Sequence, residues 1–160
     1  MIALVSLALV SVPLQRPDAW LTFTKAPAFD RRITTVDVGT LSASPQWHYW
    51  FRRTVRSGKS SETWWTDTTR CPAARSILVE AERLPSPTVD IPGVKLPDES
   101  GEISVMADGV GYSFESWAKY GKQAANHLRF TSNVDTPLAA WVEGSLSKLQ
   151  PCWSKNLPSG

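Results

Sequence analysis

The sequence predicts an α+β domain in two layers, an antiparallel sheet of about six strands packed against two helices and held by one disulfide. Three observations predict it. Segments rich in aromatic and β-branched residues alternate with Gly and Pro turns. Two later stretches change from period two to a period near 3.6. The only two cysteines, Cys71 and Cys152, stand at the start of the first such stretch and just beyond the end of the second.

The chain opens on an apolar run. Residues 2–14 carry no charge, and Arg16, Pro17 and Asp18 end the apolar character abruptly. A run of this size suits a secretory signal, which needs about 7–15 apolar residues. It is shorter than the roughly 20 residues of a membrane span. Residues 1–15 are therefore expected to be a signal peptide, with the mature chain beginning between Val12 and Ala19. Two features depart from the pattern: no Lys or Arg precedes the run, and the junction lacks an Ala-x-Ala. The competing reading is the first strand of a cytosolic domain. Residues 16–160 then form a single domain, by the prior of roughly 100–200 residues per domain. A periplasmic or secreted location follows, with no membrane span once the leader is removed. In an oxidising compartment Cys71 and Cys152 are expected to pair. Closing a loop of about 80 residues stabilises by roughly 4–4.5 kcal/mol in the chain-entropy view.

Strand-like segments come first, at residues 20–25 and 31–38, with Gly39 punctuating the second. Residues 47–55, Trp-His-Tyr-Trp-Phe-Arg-Arg-Thr-Val, read as a third strand, Ser57-Gly58-Lys59-Ser60 as a turn, and residues 63–68 as the returning strand. Ala74, Ile77, Leu78, Ala81 and Leu84 then line one helical face. Thr68 or Thr69 can cap this helix, Pro72 suits its first turn and Pro85 stops it. Pro85, Pro87, Pro92 and Pro97 mark residues 85–100 as a long surface loop. Beyond it, residues 102–107 and 111–120 read as a hairpin around Asp108-Gly109, and residues 126–132 as another strand. Thr136-Pro137 opens the second helix, with Leu138, Val142, Leu146 and Leu149 as its stripe, Trp141 beside Val142, and Pro151 at its end. The two helix starts are alike enough to hint at a repeated strand-strand-helix unit.

The chemistry-bearing motifs are few. Gly58-Lys59-Ser60 lacks the glycine five positions earlier, where Arg53 stands, and strands flank it, so it is a turn and not a phosphate loop. No Gly-x-Ser-x-Gly occurs. His48 and His127 are the only imidazoles, and no Cys-x-x-Cys suggests a metal. Neither a metal, a cofactor nor a catalytic residue is assigned. The net charge of +2, from 17 basic and 15 acidic residues, gives no basis for nucleic-acid binding.

What stands out is tryptophan, eight in 160 residues, with Trp47, Trp50, Trp64 and Trp65 in the first hairpin. Strand alternation puts Trp47, Tyr49 and Phe51 on one face and His48, Trp50 and Arg52 on the other. The first set is expected inside. Trp50 is then expected outside beside Arg52 and Arg56, with Trp64 or Trp65 opposite. Trp50, Arg52, Trp65, Arg56 and His48 are thus the candidate ligand-binding residues, since an exposed Trp-Arg ladder can stack on sugars, aromatic ligands or a protein.

Trp20, the segment Val36-Asp37-Val38-Gly39-Thr40-Leu41, an aromatic strand ending in basic residues and a cysteine after a second strand follow one another over residues 20–74. This order resembles the small exported bacterial proteins grouped as surface-adhesin-E-like. The resemblance implies a compact β-rich periplasmic or surface domain without assigned chemistry, and it transfers no functional residue. The Leu-rich final helix departs from it. The expected function is a small exported, non-catalytic binding domain with a protein or glycan partner in the cell envelope. It would use the Trp-Arg hairpin face or a groove between sheet and helices. The alternative is a cell-envelope hydrolase with an unrecognised active site.

Overall fold

The computed structural model describes residues 18–43, 45–89 and 109–158. Its elements are β1 (Leu21–Pro27), β2 (Arg32–Ser42), β3 (His48–Ser57), β4 (Ser60–Asp67), α1 (Ala73–Glu82), β5 (Val110–Tyr120), β6 (Gln123–Ser132) and α2 (Pro137–Leu149), followed by a single 3₁₀ turn, Gln150–Cys152. The six strands form one sheet in the order β4-β3-β2-β1-β5-β6, and each neighbouring pair is antiparallel. With two helices on one face, the fold is the expected α+β two-layer arrangement. The expected leader lies outside the described residues, as do most of the proline-rich loop and the strand expected at 102–107. β5 lies between β1 and β6, and its hairpin turn with β6 is Gly121-Lys122.

Two-residue turns set the register of both edge hairpins. Ser57 pairs with Ser60 around Gly58, and Tyr120 with Gln123 around Gly121. The two glycines have φ of 59° and 61°, a left-handed conformation that costs a residue without Cβ little. Each edge hairpin leads into a helix, so β3-β4-α1 and β5-β6-α2 do repeat one strand-strand-helix order around the central β1-β2 pair.

Alternation then sorts the side chains. Leu21, Phe23, Val36, Val38, Phe51, Tyr112 and Phe114 are buried together with Ala74 and Ile77 of α1 and with Leu138, Trp141, Val142 and Leu149 of α2. Trp141 is central. Its ring meets Phe23 edge-on at 4.8 Å and Phe114 at 5.6 Å. Its indole Nε1–H donates to the Ile77 carbonyl at 3.2 Å, so one side chain joins both helices to the sheet.

The helix starts differ in chemistry. The α2 start follows expectation: Thr136 is the N-cap, accepting from the Ala139 N–H at 3.1 Å, with Pro137 next. The start of α1 does not. Pro72 occupies the cap position without a side-chain bond. Thr68 Oγ1 instead accepts from the Tyr49 N–H, and the Asp67 carboxylate accepts from the N–H groups of Thr69 and Arg70 at 2.7 and 2.8 Å. These contacts fix the turn that delivers Cys71.

Cys71 and Cys152 are bonded, with a Cα–Cα distance of 5.7 Å. The bond ties the start of α1 to the turn after α2, as expected. The C-terminal segment is then laid along β4: Trp65 and Ser154 exchange two backbone hydrogen bonds of 2.7 and 2.9 Å. Arg53 sits between the rings of Trp64 and Trp153, at 4.4 and 5.0 Å from their centroids, and Lys155 lies 3.9 Å over Trp64. Burial lowers the Arg53 pKa, and Glu62 opposes that shift.

At the opposite end of the core, Glu143 of α2 accepts from Tyr112 and pairs with Lys25, both at 2.6 Å. Burial pushes the Tyr112 hydroxyl up to about 12, and the hydrogen bond to Glu143 and its negative charge add to the shift. Partial burial would raise Glu143, but hydrogen bonds from Lys25 and Tyr112 and the Lys25 charge outweigh it and hold the carboxyl below its ordinary value.

Two predictions follow from these ties. Replacing both Cys71 and Cys152 by Ser should lower unfolding free energy by about 2–5 kcal/mol in urea titrations. Reduction of the native protein should produce a similar loss. For Tyr112, the raised folded-state pKa means that its contribution is fully present below about pH 10 and is lost as pH rises toward about 12. Tyr112→Phe should cost about 1 kcal/mol at pH 8. The stability gap between the two proteins should close between pH 10 and 12, as read from urea midpoints. A gap that stays constant over that window would show that the hydroxyl does not carry the interaction.

Candidate functional site

Two surfaces compete for a functional role, and the geometry treats them differently. On the sheet face away from the helices, β2, β3 and β4 align Asp37, Arg52 and Trp65 in one rank. Trp50 lies beside them, 5.8 Å from Trp65 between ring centroids. The guanidinium of Arg52 is 5.7 Å from the Trp65 ring and 6.0 Å from that of Trp50. The expected Trp50–Arg52–Trp65 cluster therefore forms, and Trp65 is the tryptophan opposite Arg52. Trp64 pairs with Arg53 on the helix side.

The exposure of this cluster is not as expected. Trp50 is on the outer face, as alternation required, yet only 2% of it is accessible. The reason is Gly39, its cross-strand partner. A Cβ added to Gly39 would lie 2.2 Å from the Trp50 ring, so the indole lies flat in the space that the missing side chain leaves. Gly39 thus does not punctuate β2; it continues the strand and accommodates Trp50. Arg52 is similarly committed. Its Nε and Nη2 donate to Asp37 Oδ2 at 3.0 and 2.7 Å, while Thr22 donates to Oδ1 at 2.9 Å. Two N–H donors in this cluster, Trp50 Nε1 and Arg52 Nη1, are buried without a protein acceptor.

The remaining candidates lie apart from the cluster. Arg56 is exposed near the hairpin turn, opposite Ser61. His48 stands at the start of β3, where its Nδ1 is 3.2 Å from Thr69 Oγ1 and 3.5 Å from Thr68 Oγ1. This hydroxyl–imidazole pair is the nearest approach to the hydrolase arrangement. Among the described residues no carboxylate contacts His48, so nothing orients the ring as a general base requires. No group of three or more metal-ligating side chains occurs among the described residues.

Trp47 also departs from expectation. It precedes β3, is 53% accessible and stacks on Tyr49 at 6.4 Å, while its carbonyl accepts from Arg75. Tyr49 is half-buried on the helix side, and Phe51 is fully buried as expected.

The second surface is a groove of about 1090 Å³ between α1 and the helix-side face of the sheet. Leu21, Phe114 and Leu128 line its floor, Leu78 of α1 and Leu84 just after that helix its wall, and Trp20 one end. Trp20 meets Tyr49 edge-on at 5.7 Å, giving that end an aromatic wall. Trp117, 64% accessible, pairs with His127 at the border of the groove, on the opposite face of the sheet. The groove has a simple origin. α2 packs over β1 and β5 through Trp141, and α1 leans on α2 through Ile77. Neither helix packs extensively on β6, and Leu128 there stays 39% accessible. Sequence reasoning anticipated a groove between the layers but named no lining residue. The one available signal was the apolar residue pattern of β5 and β6, longer than two short helices can cover.

No protein-family model, curated protein or solved structure matches the chain.

The flat packing of Trp50 on Gly39 generates a test. Trp50→Ala should cost about 3–5 kcal/mol, the range for a large buried aromatic, rather than the small loss expected of an exposed one. Gly39→Ala should itself cost about 1–3 kcal/mol through overpacking. In the double variant the Gly39 penalty should largely vanish, since the clash partner is gone. Simple addition of the two losses would disprove the contact.

Proposed function

We propose that the chain is a small exported, non-catalytic binding domain that works in the cell envelope and takes its ligand in the groove between α1 and the sheet. The observation that carries this reading is the groove itself. Ligand sites in folded domains are concave, mainly apolar and dressed with a few polar groups at the rim. The lining by Trp20, Tyr49, Phe114 and Leu128, with Arg75, Glu82 and Asn126 as its polar groups, has that composition. The Cys71–Cys152 disulfide supports an oxidising compartment. Among the described residues no helix is long and apolar enough to cross a membrane. The uncharged run over residues 2–14 supports export, as does the resemblance of the first half to surface-adhesin-E-like proteins.

The groove reading outranks the hairpin face for a physical reason. A binding surface needs polar groups free to exchange water for ligand. The Asp37 carboxylate already holds Nε and Nη2 of Arg52, Trp50 is sealed against Gly39, and the two unpaired donors, Trp50 Nε1 and Arg52 Nη1, are buried and not on an accessible surface. The groove instead keeps large apolar surface in contact with solvent, which favours occupation.

The test joins compartment and site. Protein recovered from the periplasm or medium should have an intact mass corresponding to a start between Val12 and Ala19, and a cytosolic product retaining Met1 would refute export. The neutral dye N-phenyl-1-naphthylamine should bind the native protein with enhanced emission. Leu84→Arg should weaken that binding at least tenfold with the melting temperature as control for folding. Undiminished dye binding in a folded Leu84→Arg protein would remove the groove as the site.

A further inference from the structure

We propose that β6 accepts an extended peptide as an added antiparallel or parallel strand, with every second side chain of that peptide entering the groove. The proposal rests on the groove reading and names its occupant: a segment of another polypeptide, low in charge and apolar at alternate positions.

The first observation is the edge. β6 is the last strand of the sheet and runs for ten residues, Gln123–Ser132. Among the described residues nothing pairs with the side that faces away from β5. About half of the N–H and C=O groups of such a strand point outward and seek partners. Edge strands are usually blunted by Pro, Lys or a bulge. β6 contains neither Pro nor Lys, and the one register irregularity of its ladder sits at Ala118/Tyr120, next to the turn. The other edge is treated differently by the same chain. β4 is paired by Ser154 through two backbone hydrogen bonds, with Trp153 and Lys155 packed around the contact.

The second observation is what lies beside the open edge. Leu128 and Phe130 of β6 line the groove, as do Leu78 of α1 and Leu84 just beyond its end. A strand added to β6 would run about 4.8 Å from it and send alternate side chains to the groove side. Those side chains would meet an apolar floor and an apolar helical wall. Main-chain bonds would then provide affinity, and the groove would select the side chains, as in other cases of strand addition.

The third observation is charge. On the opposite face, His127 and Arg129 are both taken up by Glu115, at 3.2 and 3.7 Å. The charges beside the edge thus lie on the face away from the groove or at the Gly121-Lys122 turn, and the groove side of β6 is the apolar pair Leu128 and Phe130, which a segment apolar at alternate positions fits best. A glycan would use the exposed Trp117 ring but would leave the outward amides of β6 unmet.

The experiment uses the full mature chain. Amide hydrogen exchange on the protein alone should show the outward amides of β6 exchanging quickly. Slow exchange there would mean that the edge is already paired, in the chain or with a second copy, and would overturn the proposal. A phage-displayed random dodecapeptide library selected on the immobilised protein should yield sequences apolar at alternate positions. The synthetic form of the strongest one should slow exchange of the outward β6 amides at least tenfold. Leu128→Arg should weaken its binding at least tenfold, as should N-methylation of alternate peptide amides. Failure to enrich any peptide, or selective binding of neutral oligosaccharides that depends on Trp117, would overturn strand addition. If the peptide binds, is weakened by Leu84→Arg, and yet is indifferent to N-methylation and leaves β6 exchange unchanged, the groove reading stands and strand addition falls. If Leu84→Arg and N-methylation both leave its binding unchanged, both readings fall.

Discussion

Trp141 is the contact on which the rest of the architecture depends. Helices laid on a sheet can slide unless something fixes their position, and apolar contact alone is non-directional. The Trp141 ring fixes α2 by meeting Phe23 and Phe114 at edge-to-face geometry, and its Nε1–H fixes α1 through the Ile77 carbonyl. Glu143, two residues along α2, is held by Tyr112 and Lys25. Both helices are thereby kept over the middle of the sheet. The uncovered strip along β5 and β6, and hence the groove, is a consequence of that placement rather than a separate feature.

The disulfide acts on a different part of the same problem. It joins the start of α1 to the turn after α2 and so fixes where the chain leaves the helical layer. From that point the segment from Trp153 to Lys155 passes along β4. A cross-link of this kind stabilises mainly by restricting the unfolded chain. Here it also brings the residues that cover one sheet edge to their partner. Arg53 between Trp64 and Trp153 completes that cover, its lowered pKa reflecting desolvation more than any change of charge state.

Much of this fold was legible in the sequence because local rules and tertiary demands agree. Thr136-Pro137 is a helix start wherever it is placed, and its cap formed as expected. The alternation in β3 assigned Phe51 to the core and Trp50 to the other face correctly. The failures have equally local causes. Alternation gives the direction of a side chain, not its solvent contact, and the burial of Trp50 depended on a glycine eleven residues earlier in the chain being its cross-strand neighbour. Trp47 was misplaced because the strand begins one residue later, so the residue escapes the pleat. The Gly121-Lys122 turn carries no Asn-Gly or Asp-Gly pair, so its hairpin signal is weak in the sequence. Strand order reveals it, since β5 lies between β1 and β6.

The candidate site was the least legible part, and the reason is geometric. A motif can be read along a chain when its chemistry lies within a few residues. The groove draws on β1, β3, β5, β6 and α1, and none of its lining residues is unusual for its element. Leu128 is an ordinary strand leucine until the helices are seen to stop short of it. The same holds for the sheet edges. Nothing in the residues of β4 and β6 says that one will be covered by the C-terminal segment and the other left, among the described residues, without a partner. That asymmetry arises from the disulfide and the Arg53 stack at one end, and from the position of Trp141 over the centre. Among the described residues, the unpaired edge and the uncovered apolar strip lie on the same strand because the helical layer and the C-terminal segment are both anchored away from it. A partner supplying one more strand would satisfy the hydrogen bonding of the edge and the apolar surface of the groove with a single element.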